Sequence, residues 1–293
     1  MVGGTSWEGT CAQLVRMYAD DNCIITGRGP GCTAGAMGVP AVGIFPNATV
    51  TTPDSVMTSP DSTMYGNYLI TSGATASLDV AAVHAYTQGA SCCAQPETVI
   101  TRYATAAAKT SAASFLGPIW STEGGWGQAV SEPDIDQQAA FMTRYYLLGW
   151  SAGFKRLYWY SWDSLFGTLW TSGGGVTKAG IAYGQIYSFM VGAALTNPCS
   201  AAGTIYSCNF TKGGLSYLVM WDTDPAKVCS AGVCPTANQT VASQWLTWQD
   251  LTSISFPTPV LANQVPVGSK PILLQASVIS RSAPVNSILM GGN

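Results

Sequence analysis

Three apolar runs that each end in polar residues constrain this chain most, because helical patterns separate them at regular intervals. Residues 78–86 read LDVAAVHAY, 118–126 read PIWSTEGGW and 156–163 read RLYWYSWD. A continuous apolar run with a polar tail is what a strand buried on both faces of a parallel sheet requires. Helical patterns occupy 7–26, 60–72, 96–113, 131–151 and 179–192, and residues 40–48 (PAVGIFPNA) add a short proline-bounded strand. Ser131 to Asp134 resembles a capping box ahead of the longest of these helices. Such alternation predicts an α/β fold, with a parallel sheet closed or covered by helices.

In a β/α barrel the C-terminal strand tips line the active-site face. Here those tips carry His84 and Tyr86, then Glu123, then Trp162 and Asp163. Side chains alternate along a strand. His84 therefore shares a face with Tyr86, Ser121 with Glu123, and Tyr158 with Tyr160 and Trp162. His84 is the single histidine, and no G-x-S-x-G elbow accompanies it, so serine-hydrolase chemistry is not expected.

Charge narrows the partners. Only 9% of residues are charged, against roughly 25% in an ordinary domain, and the net charge is −3 with no basic run. Nucleic acid and anionic membrane both need a basic footprint, so neither is expected as partner. The best apolar stretch, 141–154, is interrupted by Arg144, and no membrane-spanning helix is expected. Apolar residues make up 47%, enough for a large core. Ten Trp, thirteen Tyr and 32 Gly give a surface rich in rings and hydroxyls, which suits neutral polar ligands such as sugars.

After about residue 195 the texture changes. Short strands at 204–209, 215–222, 240–246, 253–256, 264–267 and 272–275 are separated by Gly, Pro, Asn and Ser, the pattern of a sandwich-like all-β domain. The expected division is 1–194 and 195–293. Nine cysteines include the close pairs 23/32, 92/93, 199/208 and 229/234, without the spacing of a zinc site. Disulfides at Cys199–Cys208 and Cys229–Cys234 are expected, in a secreted or other oxidising extracytoplasmic setting. An odd count leaves at least one thiol free or paired between chains. The opening residues lack the basic and apolar regions of an export signal, so the signal is expected upstream.

Taken together, VHAY, PIWSTEGGWG and RLYWYSWDSLFGTLW resemble the sixth, seventh and eighth strands of retaining clan A glycoside hydrolases, of the family 39 and family 5 type. The resemblance extends over residues 7–275, its β segment resembling the C-terminal β-domain that often follows such barrels. It implies Glu123 as catalytic nucleophile, His84 and Tyr86 as groups that position it, and Trp162 as the platform under the reacting sugar. Trp126, Tyr160 and Asp163 are the further substrate-binding candidates, and no metal or organic cofactor is implied.

The family's acid/base glutamate lies in an Asn-Glu-Pro motif at the end of strand four, just before a helix like that at 7–26. No Asn-Glu dipeptide occurs in this chain. A full barrel takes about 200 to more than 400 residues, and only the first 194 precede the β region. The expected fold class is therefore α/β: a truncated (β/α) TIM-type barrel of four or five strands, its first half absent, followed by an all-β sandwich-like domain. Retention needs two carboxyl groups about 5–5.5 Å apart. Glu8, Asp79, Glu132, Asp134 and Asp163 are the other carboxylates at hand, with Asp163 and Glu8 ranked first and a partner subunit as a further source. The expected function is hydrolysis of β-linked neutral sugars. The alternative is a carbohydrate-binding remnant that has lost its acid/base residue. Open strand edges and helix faces predict a homo-oligomer that covers them.

Overall fold

The computed structural model describes residues 9–29, 32, 45–58, 60–87, 95–127, 132–163 and 167–276. Helix α1 (Cys11–Thr26) starts at a capping box. The Thr10 hydroxyl accepts from the Gln13 N–H at 3.3 Å, and the Gln13 side chain accepts from the Thr10 N–H at 2.8 Å. A disulfide from Cys23 to Cys32 clips the chain as it leaves this helix.

Four extended segments then run parallel. Residues 50–55 lie beside β1 (Ala81–His84), with Thr51 bridged to Val80 and the His84 N–H donating to the Ser55 carbonyl at 2.8 Å. Next come β2 (Ile119–Glu123) and β3 (Arg156–Leu157), in the sheet order β1-β2-β3. Helix α2 (Asp61–Ile70) precedes β1, α3 (Val99–Ala112) lies between β1 and β2, and α4 (Ile135–Ala152) between β2 and β3. A small hairpin, β4 (Trp170–Thr171) and β5 (Gly175–Val176), leads into α5 (Lys178–Met190). The four parallel segments therefore present their C-terminal ends on one side, where the polar residues of the sequence collect.

Three local expectations need correction. The strand expected at 40–48 is not one where the structure describes it. Residues 45–48 form a turn closed by the Ala48 N–H on the Phe45 carbonyl, and the parallel segment begins at 50; residues 40–44 lie outside the described residues. The third apolar run is a strand for only two residues. Its N–H groups at Tyr158 and Tyr160 nevertheless still reach the carbonyls of Ser121 and Gly124, at 2.8 and 3.0 Å. The cap of α4 is Asp134 itself, which accepts from the N–H groups of Asp136 and Gln137 at 2.9 and 3.0 Å. Ser131 lies outside the described residues.

The rest of the chain is antiparallel. Strands β6 (Ala194–Ala202), β7 (Ile205–Lys212), β8 (Leu215–Asp222), β10 (Trp245–Asp250), β11 (Thr258–Pro259) and β13 (Ile272–Ala276) form one sheet in the order β11-β10-β13-β8-β7-β6. A separate pair joins β9 (Thr236–Thr240) to β12 (Gln264–Gly268). Alternation on β8 divides the packing. Tyr217, Val219 and Trp221 join the core that contains α4, whereas Leu218 and Met220 pack toward Val265 and Val267 of β12. The strand expected at 240–246 straddles the end of β9, a turn and the start of β10. The one expected at 253–256 is a loop with Ile254 and Phe256 exposed, because β-favouring residues without a partner strand do not pair.

The Cys199–Cys208 disulfide ties β6 to β7, and Cys229–Cys234 closes a tight loop, as expected. Cys11 is free, and Cys92 and Cys93 lie outside the described residues. Among the described residues no helix is long and apolar enough to cross a membrane.

Candidate active site

Glu123 is the last residue of β2, and its position relative to β1 comes from an irregularity in the ladder. Val83 pairs with Ser121, but the next residue, His84, pairs with Glu123. That slip turns two residues of opposite parity toward the same place, as bulges beside functional sites commonly do. Beyond it the ladder continues, with the Ala85 N–H donating to the Glu123 carbonyl at 2.8 Å. Gly124 follows because nothing larger fits: a β-carbon there would lie 2.0 Å from the Tyr145 hydroxyl. Tyr145 is buried, its hydroxyl within 3.2 Å of Ser121 Oγ and 3.3 Å of the Ala85 carbonyl, so it fastens the backbone on both sides of the site.

The Glu123 carboxylate is engaged at both oxygens. The Tyr86 hydroxyl donates to Oε1, and His84 Nε2 lies 3.3 Å from Oε2. Burial, followed by the hydrogen bond to Glu123, pushes the Tyr86 phenol far above its ordinary range, so Tyr86 stays protonated and remains a donor. His84 is buried and lies edge-on to the Tyr86 ring. About a quarter of the Glu123 side chain (27%) stays exposed, which leaves it open to a reactant.

A residue that the sequence reading did not single out completes the cluster. Asp54 lies near the end of the parallel segment at 50–55, so it too sits at a strand tip. Its Oδ2 is 3.5 Å from the same His84 Nε2, and its Oδ1 accepts from the Thr122 hydroxyl. Burial raises the Asp54 carboxyl, but His84 and Thr122 outweigh it and hold the group below the usual carboxylate value. The shared nitrogen caps the separation of the nearest Asp54 and Glu123 oxygens at the sum of those two distances. The available signal was a polar residue after the β-branched run 49–52 (TVTT). The strand expected at 40–48 ends before that run and so does not reach it.

The aromatic stretch after β3 splits by parity. Tyr158, Tyr160 and Trp162 point outward, Tyr160 42% and Trp162 58% exposed, whereas Trp159 turns inward and packs on Trp126, Phe141, Tyr145 and Tyr146. Trp126 is only 1% exposed, with its ring against Phe141 and Trp159. It is a core residue and offers no stacking face, which corrects its place among the binding candidates. Asp163 is exposed beside Trp162, whose carbonyl accepts from Leu169 and Trp170 and anchors the loop to β4.

None of the other candidate carboxylates that the structure describes contacts Glu123 through a hydrogen bond or ion pair. Asp79 precedes β1, at the end of the sheet away from the tips, and pairs with Arg28 at 2.8 and 3.0 Å. Asp134 caps α4, Glu132 is buried, and Glu8 lies outside the described residues.

No protein-family model and no curated protein matches the chain. Solved structures do. An endoxylanase of glycoside hydrolase family 30 from Clostridium papyrosolvens C71 aligns with 93% of this chain and 62% of its own, at 13% identity and a TM-score of 0.52. A glucosidase from Croceicoccus marinus aligns with 95% of this chain and 67% of its own, at 12% identity and a TM-score of 0.54. A Paenibacillus polymyxa xyloglucanase from family 44 aligns with 91% and 61%, at 11% identity and a TM-score of 0.54. The fold is similar to that of these three proteins. That similarity extends over nearly all of this chain, which spans only 61–67% of the length of these three proteins.

Proposed function

We propose that this chain is a glycoside hydrolase of clan A ancestry, near the family 39 and family 5 types, acting on β-linked neutral sugars with Glu123 as nucleophile. The observation that carries this reading is the Tyr86–Glu123–His84 contact set at adjacent parallel strand tips. A carboxylate held at both oxygens is oriented without being closed off. Attack by the free lone pair of Glu123 on the anomeric carbon breaks the glycosidic bond, and the leaving oxygen takes a proton from a general acid. Water then attacks the anomeric carbon, gives one of its protons to the same group, and the bond from that carbon to Glu123 breaks, restoring the carboxylate. Tyr160 and Trp162 supply exposed ring faces for a sugar, and Asp163 a carboxylate for its hydroxyls.

The chain is read as a truncated barrel with residues 195–293 as a sandwich-like domain. The three disulfides among the described residues fit an oxidising, extracytoplasmic setting. The second carboxyl group comes from Asp163, from Glu8 or from a second copy that covers the open side of the barrel. One observation favours the alternative of a sugar-binding remnant. The second carboxylate at the site, Asp54, is held in its ionised form and is therefore a poor proton donor.

Aryl β-glycosides with the parent and Glu123→Gln separate these readings. A working nucleophile predicts turnover that falls by at least about a thousandfold in the variant. Saturable sugar binding with no turnover by either protein would instead identify the remnant.

A further inference from the structure

We infer that Asp54 is a positioning residue for the nucleophile, acting through His84; this rests on the reading of Glu123 given above. Two carboxylates approach one imidazole nitrogen, at 3.5 Å from Asp54 and 3.3 Å from Glu123. Ionised carboxylates only accept, so Nε2 must carry the proton in the neutral as well as the charged ring. Asp54 thereby fixes both the tautomer and the direction of the N–H that faces Glu123. The Thr122 hydroxyl, one residue before the nucleophile, holds the other oxygen of Asp54. Three successive strand tips are thus linked into one unit: the 50–55 segment through Asp54, β1 through His84, and β2 through Thr122 and Glu123.

The same geometry assigns Asp54 an electrostatic effect. The charged and titratable groups around it are His84 on β1, Glu123 on β2, Tyr18 on α1 and Tyr65 on α2, with the Thr122 hydroxyl as donor. A negative charge this close opposes a second one on the nucleophile, and it competes with it for the His84 proton. Removing it takes one charge from beside the nucleophile and leaves the His84 N–H to Glu123 alone. Asp54 is not the missing acid, since its surroundings keep its proton off.

The test uses the full chain, with Asp54→Asn as a near-isosteric change and Thr122→Val as a second variant that keeps the charge. His84 is the only histidine, so its imidazole gives a single set of ¹⁵N–¹H signals. Asp54→Asn is expected to shift those signals. It should also lower kcat on dinitrophenyl β-glycosides by roughly ten- to hundredfold and displace the acidic limb of the rate profile from the parent's. Thr122→Val should lower kcat less and leave that limb closer to the parent's. A residue with only a structural role would lower the melting temperature without moving the limb. Superposable His84 spectra in the parent and Asp54→Asn overturn the inference. If the parent turns over nothing, the reading of Glu123 falls and the spectrum alone decides: movement supports the Asp54–His84 coupling, and superposition ends it.

Discussion

Glu132 sits wholly out of solvent with neither carboxylate oxygen hydrogen-bonded, although the Arg144 charge is near enough to act on it. Arg144 is committed elsewhere, to both oxygens of Glu97 and to the Gln95 side chain. Burial therefore dominates, and it pushes the Glu132 carboxyl up to about 8 against the partial offset from Arg144. The unfolded chain has a carboxyl near 4.3, so the folded state holds the extra proton between these values. Stability from this group is complete below the lower value and is lost as pH rises toward about 8. Glu132→Gln keeps the shape and removes the titration. Melting curves at pH 5.5 and 8 should show the parent losing on the order of 2 kcal/mol more than the variant, after allowance for screening. Equal losses would refute the assignment. Nothing local in the sequence distinguished this glutamate from Asp134, since what sets it apart is the packing over it. By contrast, Glu123, His84 and Tyr86 were legible as site candidates, because side-chain parity and the position of a polar tail are local properties. Trp126 and Asp54 went the other way: an aromatic after a glycine turn looks the same in a core or a cleft, and Asp54 depended on where a strand began.

Helix α4 shows how much of an element its own residues define. Thirteen of its eighteen residues are buried, so its apolar positions encircle it rather than form a stripe, as a helix enclosed by other layers requires. Its existence and rough length were readable from that content. Its start was not, because the cap depends on which side chain reaches the free N–H groups. Asp134 does so, and it also accepts from the Gly232 N–H at 3.1 Å, across from the Cys229–Cys234 loop. Burial raises its carboxyl, but these three donors and Lys178 hold it below its ordinary value. Asp134→Ala should cost about 1–2 kcal/mol in urea unfolding, and Asp134→Asn less, since Asn still caps. An unchanged midpoint in the alanine variant would show that the cap carries no weight. The third apolar run failed in the opposite sense. Its residues favour strands, but the backbone leaves regular pairing after Leu157 to present Tyr158, Tyr160 and Trp162 outward.

At the scale of the molecule, the change of texture near residue 195 marks a change of architecture without a break in the core. One apolar cluster runs from Ala81 and Val83 of β1, through Phe141, Tyr145 and Leu148 of α4, to Phe210, Val219 and Trp221 of the antiparallel sheet. Polar contacts cross the same boundary. The Gln137 side-chain carbonyl accepts from the Cys229 N–H at 3.0 Å and from the Ser269 hydroxyl at 2.9 Å, all three residues buried, and the Trp221 indole donates to Glu97 at 3.0 Å. Such long-range pairs cannot be read from local patterns, and they bear on cooperativity. If burial and these bonds couple the two regions, calorimetry should show one transition whose calorimetric and van't Hoff enthalpies agree. Gln137→Ala leaves the buried Cys229 N–H without an acceptor and the Ser269 hydroxyl with only the weak Cys229 sulfur at 3.4 Å, at a cost of about 2 kcal/mol. It should lower that single transition as a whole, by equal amounts whether followed at the parallel sheet or at the antiparallel one. Two resolved transitions, or a variant that destabilises only one region, would mean that the shared core does not bind the halves into one folding unit.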